Sequence, residues 1–464
     1  MAVSGHPMDI YIFMRQILIL GAGLSSTTLV RYLLDHSEEN DCQVILGDLN
    51  IKLAAEKIGN HPRGTALTFN VFDADQRNLL ISTADIVVSM LPATMHHLVA
   101  ESCLAQRKNL ITTSYVSNEI RTLDEEARRK GVLLLNEMGV DPGLDHMSAM
   151  RIIDRIKQEQ GKLDVFESNT GGLVAPEYDD NPWRYKFTWN PRNVVLAGQK
   201  GARFLHNGKF KYIPYHKLFQ RYEIIKVLDL GEFEVYPNRD SLKYQFDYWL
   251  ENISTMFRGT MRRPGFCDAW NLLVQLGATD DSYIVEFPDK NMTYRDFTNS
   301  FLAHNIVDPV EAKIARYLNI PEEGELMNKL GWLGMFDREI IGVQNLTPAG
   351  ILQNLLERKW KLQPGDKDMI VMQHQFEYLA EKKRKRIVSS MYLVGMDSRE
   401  TAMAITVGLP VAFAAELILK GQISLTGVRI PVTKEIYEPV LEKLEQYGIR
   451  FIEETSEQDI DQKN

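Results

Sequence analysis

Gly21 and Gly23 directly follow an apolar run, residues 17–20, and precede a segment whose apolar residues keep helical spacing. A buried strand, a tight glycine turn and an amphipathic helix form a cradle that binds the pyrophosphate of a dinucleotide. Gly21 permits the turn, Gly23 lets the backbone approach the phosphates, and the start of the helix offers free N–H groups. Ser26 replaces the third glycine of G-x-G-x-x-G, and its small side chain still lets helix and strand approach.

Asp48 ends a second apolar run and lies about 20 residues beyond this turn. An acidic side chain at that place accepts hydrogen bonds from the adenosine ribose hydroxyls of NAD. The alternative is that Asp48 only ends a strand. Its carboxylate would repel a 2′-phosphate, and no arginine stands at position 49 or 50 to offset the repulsion. The sequence therefore favours NAD over NADP.

The elements that must position these residues alternate from residue 17 to 135, which predicts a parallel sheet with helices on both faces. Further strands are predicted over residues 66–71, 85–89, 109–112 and 132–135, and helices over 51–58, 97–106 and 119–130. Ligands of such sheets gather at the carboxyl ends of the strands. The candidate residues at those ends are Asp73, Leu91, residues 112–115 and residues 139–145.

Residues 136–150, NEMGVDPGLDHMSAM, form a second informative stretch. Pro142 pushes Asp141 into an extended conformation and can itself open a helix, so Asp141 could be the N-cap of that helix. The same aspartate would also stand at the end of a strand, beside the cofactor, so both roles can hold. His146 could be a base or a ligand, but a single helical histidine without a partner is more often structural.

Beyond residue 160, short strand-like pieces alternate with loops rich in glycine, proline, asparagine and aromatic residues. Gly171 and Gly172 open a stretch that is typical of a loop-built pocket. Arg239 and the arginines of residues 258–263 stand near turn residues, and a planar guanidinium suits a carboxylate. The alternative is that these arginines are simply solvated.

Three later stretches complete the prediction. Residues 265–360 are mostly helical, and residues 369–374 and 387–393 read as paired strands. The basic run at 382–386 favours a solvated hairpin tip over a nucleic-acid patch, because the whole chain is acidic. Residues 402–419 predict an apolar helix that is broken at residues 408–410.

Composition limits the function classes. With 464 residues the chain is too long for one core, and a net charge of −9 gives no reason to expect a nucleic-acid partner. Three widely spaced cysteines exclude a disulfide framework or a zinc cluster and fit a reducing, cytoplasmic location. No apolar run is expected to span a membrane, and the N-terminal extension, residues 1–14, lacks the features of a signal peptide.

Several motifs together resemble the saccharopine dehydrogenase (L-glutamate-forming) family, also called saccharopine reductase. They are GAG at 21–23, LPAT at 91–94, TTSY at 112–115, NEMGVDPGLDHMSAM at 136–150, GGLVAPEYDDNPWRYKFTWNPR at 171–192, YPNRDS at 236–241, FRGTMRRPGF at 257–266, DMIVMQHQF at 368–376 and ETAMAITVGLPVA at 400–412. The resemblance covers almost the whole chain after the extension.

The resemblance implies an α/β protein with an N-terminal Rossmann domain and a mixed-sheet α/β substrate domain that carries a mostly helical insertion. The Rossmann domain would cover residues 15–140 with part of 395–430, the substrate domain 141–264 and 361–464, and the helical subdomain 265–360. The implied cofactor contacts are Gly21, Gly23, Leu24, Ser25, Asp48, Asp73, Leu91, Thr113, Ser114, Val140, Asp141 and Thr188. The implied saccharopine contacts are Ser114, Tyr115, Asp141, Arg239 and Thr260 to Arg262.

The implied reaction is the NAD(P)-dependent oxidation of saccharopine to 2-aminoadipate 6-semialdehyde and glutamate, in lysine metabolism. The substrate carries three carboxylates, which explains a need for Arg239 and Arg262, while Asp141 and Tyr115 are the candidates for proton transfer. No metal is expected, the partners would be small molecules, and a homodimer is left open. Two rivals stay open: a carboxynorspermidine or homospermidine synthase-like enzyme, and a non-enzymatic NAD-binding sensor.

Overall fold

The computed structural model describes residues 14–286 and 291–459, so the N-terminal extension lies outside the described residues except for Met14. Contacts divide the chain into two units. The first unit runs up to Leu144 and resumes over Ala404–Lys443. The second unit covers Asp145–Met403 and resumes at Leu444, and the helical segment at 265–360 belongs to it.

The strands and helices of the N-terminal part alternate. In chain order they are β1 (Arg15–Leu20), α1 (Thr27–Asp35), β2 (Cys42–Asp48), α2 (Ile51–Ile58), β3 (Gly64–Thr68), α3 (Ala74–Thr83), β4 (Ile86–Ser89), α4 (His96–Gln106), β5 (Asn109–Thr112), α5 (Asn118–Arg121), α6 (Asp124–Lys130) and β6 (Leu133–Leu135). The helix predicted over 119–130 is divided in two, since Thr122 and Leu123 interrupt it.

The middle of the chain mixes longer strands with a run of helices. In chain order they are α7 (Leu144–Gln158), β7 (Lys162–Val174), α8 (Pro191–Val195), β8 (Ala202–His206), β9 (Lys209–Ile213), α9 (Tyr215–Leu218), β10 (Glu223–Lys226), β11 (Glu232–Pro237), α10 (Lys243–Asp247), β12 (Thr255–Arg262), α11 (Phe266–Leu276), α12 (Tyr294–Ser300), α13 (Val310–Leu318), α14 (Glu325–Leu333), α15 (Pro348–Lys359), β13 (Asp368–Ala380) and β14 (Lys383–Val394). The C-terminal part adds α16 (Ala402–Leu419), β15 (Gly427–Arg429), α17 (Lys434–Gln446) and β16 (Ile452–Asp459).

The first unit contains a seven-stranded sheet in the order β15-β6-β5-β4-β1-β2-β3, and every pairing is parallel. Its central strands are continuous apolar runs because helices cover both faces. From β3 to β6 the strand order is that of a doubly wound nucleotide-binding fold, whose ligands bind where the order reverses, at β1 and β4. The predicted Rossmann fold is confirmed.

The second unit contains a nine-stranded mixed sheet in the order β10-β11-β12-β7-β13-β14-β16, with β8 and β9 joined beside β12. Strands β7 and β12 are parallel neighbours at its centre. Gly171 and Gly172 lie inside β7 and Arg258 and Arg262 lie inside β12, so the loop placement predicted for these residues is wrong. The rest of the first stretch, residues 175–189, is irregular, as predicted. A side chain at Gly259 would collide with Val235 and Asn169, so the glycine permits close packing at the sheet centre.

The helical segment and the mixed sheet share one large hydrophobic core. Trp183, Trp270 and Trp360 are almost fully buried in that core, with ring centroids 5.4–6.4 Å apart. The carboxylate of Glu234 on β11 accepts hydrogen bonds from the amides of Gly265 (2.6 Å) and Cys267 (2.8 Å). It thereby satisfies backbone donors at the start of α11 and fixes this helix against the sheet.

Helix α16 continues through Pro410, so the predicted break at 408–410 is wrong. Gly408 is needed for packing instead, because a side chain there would lie 2.7 Å from the amide of Leu29. By length and composition α16 could cross a membrane, with a mean hydropathy of 2.0, which the sequence did not lead us to expect. It is 94% buried inside the protein, as a core helix is.

The basic run at 382–386 lies mostly in β14 rather than at a hairpin tip. The turn is formed by Glu381 and Lys382, both with positive φ. The following basic residues pair with the acidic strand β16, and the Lys383 Nζ atom lies 2.7 Å from Glu457 Oε1. The run is therefore matched by opposite charges within the same sheet.

Candidate functional site

The glycine turn after β1 has the geometry that a nucleotide cradle needs. Gly21 has a φ of +108°, and a Cβ there would lie 2.8 Å from the carbonyl oxygen of Met90. No other residue type fits at that position without strain. Gly23 is exposed, and a Cβ there would meet no atom within 4 Å, so its backbone is open to a ligand.

The amides of this turn divide into two groups. The amide of Gly21 donates to the carbonyl of Gly47 (2.8 Å), and the amide of Ala22 donates to Asp48 Oδ2 (2.7 Å). The amides of Gly23, Leu24 and Ser25 have no acceptor among the described residues. Since they precede α1, they can bind the oxygen atoms of a pyrophosphate.

Asp48 is held by two backbone amides. Its Oδ2 atom accepts from Ala22 and its Oδ1 atom accepts from Asn50 at 2.8 Å. Lys57 approaches the same corner and hydrogen-bonds to the hydroxyl of Thr27. Burial lowers the pKa of Lys57 to about 8, although the charges of Glu56 and Asp48 oppose this shift. The Asp48 carboxylate is therefore fixed beside the glycine turn, where a ribose would lie.

The other predicted cofactor residues of the first unit follow strands of the same sheet. Asp73 is the N-cap of α3 and accepts from the amide of Gln76 at 3.0 Å. Leu91 follows β4, Thr113 and Ser114 follow β5, and all three are half-buried, whereas Val140 is buried. These positions are consistent with the nucleotide-binding edge of a parallel sheet.

A buried histidine, His96, contacts one of these residues and was missed at the sequence level. Its Nδ1 atom lies 2.8 Å from Ser89 Oγ, and its Nε2 atom lies 2.9 Å from Ser114 Oγ. Burial lowers the pKa of His96 to about 4, so the ring is neutral at neutral pH. The one sequence signal that could have identified His96 is its position just after the LPAT motif at residues 91–94.

Tyr115 and Asp141 are brought together by adjacent strands. The phenol of Tyr115 donates to Asp141 Oδ1 at 3.1 Å, and both side chains are half-buried. The buried residue Glu137 holds the segment that follows β5. Its Oε1 atom accepts from the amide of Val116 (2.9 Å), and its own amide donates to the carbonyl of Ser114 (3.2 Å). Glu137 has a φ of +60° and was also missed from the sequence.

Two predictions about residues 136–150 change with the structure. Leu144 is the first residue of α7, so Asp141 lies too early in the chain to be the N-cap predicted for it. His146 is fully buried, and its Nδ1 atom hydrogen-bonds to the phenol of Tyr248. This supports the structural alternative for His146.

In the second unit, Arg262 is a buried cation among aromatic rings. Its guanidinium carbon lies 5.0 Å from the ring of Tyr185, 5.3 Å from Phe266 and 5.8 Å from Tyr236. One nitrogen donates to the carbonyl of Met261 at 2.9 Å, and Nε has no partner in the described part of the chain. No ion pair joins Arg262 to a carboxylate of the described residues, so its charge is balanced by no acidic side chain there.

Arg239 and Thr260 adjoin the same tyrosine. Thr260 lies opposite Tyr236 in the pairing of β11 with β12. Burial raises the pKa of Tyr236, and the positive charges of Arg262 and Arg239 oppose that shift. Arg239 is exposed and has a φ of +49°, a strained conformation that is common at binding sites.

Arg258 differs from Arg262 although both lie on β12. Arg258 forms a buried ion pair with Asp145 at 2.8 Å and stacks on Tyr244 at 4.4 Å. The run of arginines at 258–263 therefore contains a paired structural cation as well as the carboxylate candidate.

Thr188, the predicted cofactor contact of this unit, is buried beside Gly172, and its Oγ1 atom has no partner among the described residues.

The parallel sheet, the glycine turn and the fixed Asp48 define a dinucleotide-binding protein of the Rossmann class. Family models divide the chain in agreement with this: the saccharopine dehydrogenase NADP binding domain matches residues 17–135, and the saccharopine dehydrogenase C-terminal domain matches residues 139–449. The chain belongs to the saccharopine dehydrogenase family.

Individual relatives agree over nearly the whole chain. A saccharopine dehydrogenase [NADP(+), L-glutamate-forming] of Schizosaccharomyces pombe is 31% identical over 95% of this chain and 99% of its own length. The solved apo saccharopine dehydrogenase (L-Glu forming) of Saccharomyces cerevisiae superposes with a TM-score of 0.84 at 28% identity, covering 95% of this chain and 100% of that chain. The bovine mitochondrial alpha-aminoadipic semialdehyde synthase is 32% identical, and the chain spans 47% of its length.

Proposed function

We propose that this protein catalyses the NAD-dependent oxidation of L-saccharopine to 2-aminoadipate 6-semialdehyde and L-glutamate. The observation that carries the proposal is the buried guanidinium of Arg262, which has no carboxylate partner among the described residues in a chain of this family. A buried cation is costly unless an anion joins it. A substrate with three carboxylates supplies such an anion.

The residues of the glycine turn fit a dinucleotide. A side chain would fill the space at Gly21, and the amides of Gly23, Leu24 and Ser25 can hold the pyrophosphate. When bound, the nicotinamide supplies a hydride acceptor for the substrate carbon that carries the secondary amine. The name of the Schizosaccharomyces pombe relative specifies NADP(+), and the family model of the first domain is named for NADP binding. We nevertheless assign NAD to this chain, because Asp48 places a negative charge where a 2′-phosphate would lie.

Tyr115 and Asp141 would handle the protons of the reaction. Loss of a hydride from the carbon and of a proton from the nitrogen of saccharopine leaves an imine, and water then adds to that imine carbon. Collapse of the adduct breaks the carbon–nitrogen bond and releases the semialdehyde and glutamate. Proton transfers accompany the addition of water and the departure of the amine. A phenol that donates to a carboxylate at 3.1 Å is suited to these transfers.

The direct test follows NADH absorbance with purified protein, NAD and L-saccharopine, and measures glutamate as the second product. We expect absorbance to rise with saccharopine and glutamate to form in equal amount. If carboxyspermidine-type substrates are turned over and saccharopine is not, the polyamine-enzyme alternative is correct. If NADH binds tightly and no amino acid changes the absorbance, the protein is a sensor.

We further propose a reducing, cytoplasmic location and small molecules as partners, with a homodimer left open. The three cysteines are buried and free, as they would be there. Sedimentation of the purified protein would decide between a monomer and the homodimer that the sequence leaves open. Cell fractionation with a tagged chain would test the location.

A further inference from the structure

Ser89, His96 and Ser114 form a continuous hydrogen-bonded chain inside the first unit. Ser89 is on β4, His96 is the first residue of α4, and Ser114 follows β5. Ser89 and His96 are almost fully buried, whereas Ser114 is half-buried. The histidine ring thus joins the buried hydroxyl of Ser89 to the half-buried hydroxyl of Ser114.

The neutral ring has one donor nitrogen and one acceptor nitrogen, and which is which decides the role of Ser114. If Nδ1 carries the proton, it donates to Ser89 and Nε2 accepts the hydroxyl proton of Ser114. Ser114 can then only accept from a ligand. If Nε2 carries the proton, Ser89 donates to Nδ1, Nε2 donates to Ser114, and the Ser114 proton is released for a ligand.

We propose that His96 is a positioning residue that keeps the Nε2–H tautomer and thereby makes Ser114 a hydrogen-bond donor to a carboxylate oxygen of the amino-acid substrate. The inference rests on the proposed function, which makes that ligand an anion. A carboxylate has no proton to donate. If Ser114 could only accept hydrogen bonds, its oxygen would face the carboxylate oxygen with no proton between them, and the two would repel each other. On the other side of the ring, the hydroxyl of Ser89 lies 2.8 Å from Nδ1 and can donate to it in this tautomer.

Two amide substitutions separate the roles of the two nitrogens. A glutamine amide can place an N–H group where Nε2 lies, whereas the shorter asparagine reaches only the Nδ1 position. His96→Gln should keep the saccharopine KM within about threefold of wild type. His96→Asn should raise it on the order of tenfold, as loss of a hydrogen bond to a charged group does, with a smaller change in kcat. His97→Asn, at the neighbouring half-buried position, is the matched control and should change neither constant.

A double-mutant cycle distinguishes this role from support of the fold. In a Ser114→Ala background, His96→Asn should have no further effect on the saccharopine KM, because the hydroxyl that it positions is gone. Additive effects of the two substitutions would overturn the proposal, as would equal KM values for His96→Gln and His96→Asn. Melting temperatures show whether each variant is folded.

The tautomer can be observed without any turnover. Long-range ¹H–¹⁵N correlation spectra of protein labelled at histidine distinguish a protonated ring nitrogen from an unprotonated one, and the His96→Gln spectrum assigns the signal. A protonated Nδ1 would overturn the proposal. If the wild-type protein has no activity with saccharopine, the proposed function fails, and the spectrum still decides the tautomer.

Discussion

The phenol oxygen of Tyr115 lies 3.1 Å from Oδ1 of Asp141 and donates a hydrogen bond to it. The two residues are 26 positions apart in the chain. They meet because each follows one of two adjacent parallel strands, β5 and β6. The proton of the phenol and the carboxylate that can receive it are thus adjacent before any substrate binds.

Asp141→Asn should lower kcat by about 10²–10⁴-fold, which is the usual contribution of a general acid or base. Asparagine retains an oxygen that can accept from Tyr115, so the melting temperature should stay close to wild type. The measurement is kcat across pH for both proteins. A variant with wild-type kcat and an unchanged pH profile would leave Asp141 without a part in proton transfer.

Wild-type protein should use NAD with a kcat/KM at least tenfold above that for NADP, or about 1.4 kcal/mol. Asp48→Asn should reduce this preference, because it removes the charge that opposes a 2′-phosphate but keeps one oxygen for the amide of Ala22. Steady-state kinetics with both cofactors test this. Equal efficiencies in the wild-type protein would show that the assignment of NAD is mistaken.

Arg262→Met should weaken saccharopine binding without harming the fold. The lost contact to a carboxylate should raise KM by about 10- to 100-fold, or roughly 1.5–3 kcal/mol. Removal of a buried charge that lacks an anion should leave the melting temperature unchanged or higher. The matched control is Arg258→Met on the same strand. This substitution leaves the buried carboxylate of Asp145 without its ion-pair partner and should cost about 3–5 kcal/mol of stability.

Arg239→Ala should also raise the saccharopine KM, with a far smaller effect on the affinity for NADH measured by fluorescence. The side chain is exposed, so its removal should change the melting temperature little. Relief of the positive φ is not expected, since alanine is no freer there than arginine. A large drop in melting temperature with an unchanged KM would identify a structural residue instead.

Glu416 on α16 should make the stability depend on acidity. Burial opposes its ionisation, but hydrogen bonds from Lys420 and Lys443 outweigh burial and lower its pKa to about 2. A carboxylate whose folded pKa is depressed stabilises the fold above its unfolded pKa, near 4.5, and this contribution is lost as pH falls toward 2.

Glu416→Gln should therefore cost on the order of 1–3 kcal/mol at pH 7, and the deficit should shrink as the pH falls below about 4.5. Denaturant unfolding at several pH values measures the difference. Glu442→Gln, an exposed position on α17, is the control and should show no such trend. A deficit that stays constant down to pH 3 would contradict the linkage.

The glycine turn and Asp48 could be predicted because their geometry is local. Strand, turn and helix follow one another within the first 48 residues, and each has its own sequence pattern. The loop predicted at Gly171 and Gly172 was wrong because their strand is defined by distant parts of the chain. Glycine is unfavourable in an isolated strand, but Gly171 and Gly172 pair with Val371 and Ile370 of β13, and this tertiary pairing overrides propensity.

The buried parts of the site could not be predicted from local pattern. His96 is defined by serines 7 and 18 residues away, and Arg262 by rings from the loop around Tyr185, from β11 and from α11. The family resemblance identified Arg262 and Ser114 as candidate site residues. Neither the resemblance nor the residue spacing showed which groups surround these two side chains.

The cofactor-binding sheet is completed very late during synthesis on the ribosome. Its edge strand β15 pairs with β6, and the amide of Val428 donates to Asp124 at 2.8 Å across 304 residues of chain. Until residue 429 has emerged, β6 presents an unpaired edge, and α1 lacks the helix that covers Leu29. A fragment that stops at Leu144 should thus be a client of chaperones rather than a portable nucleotide-binding module.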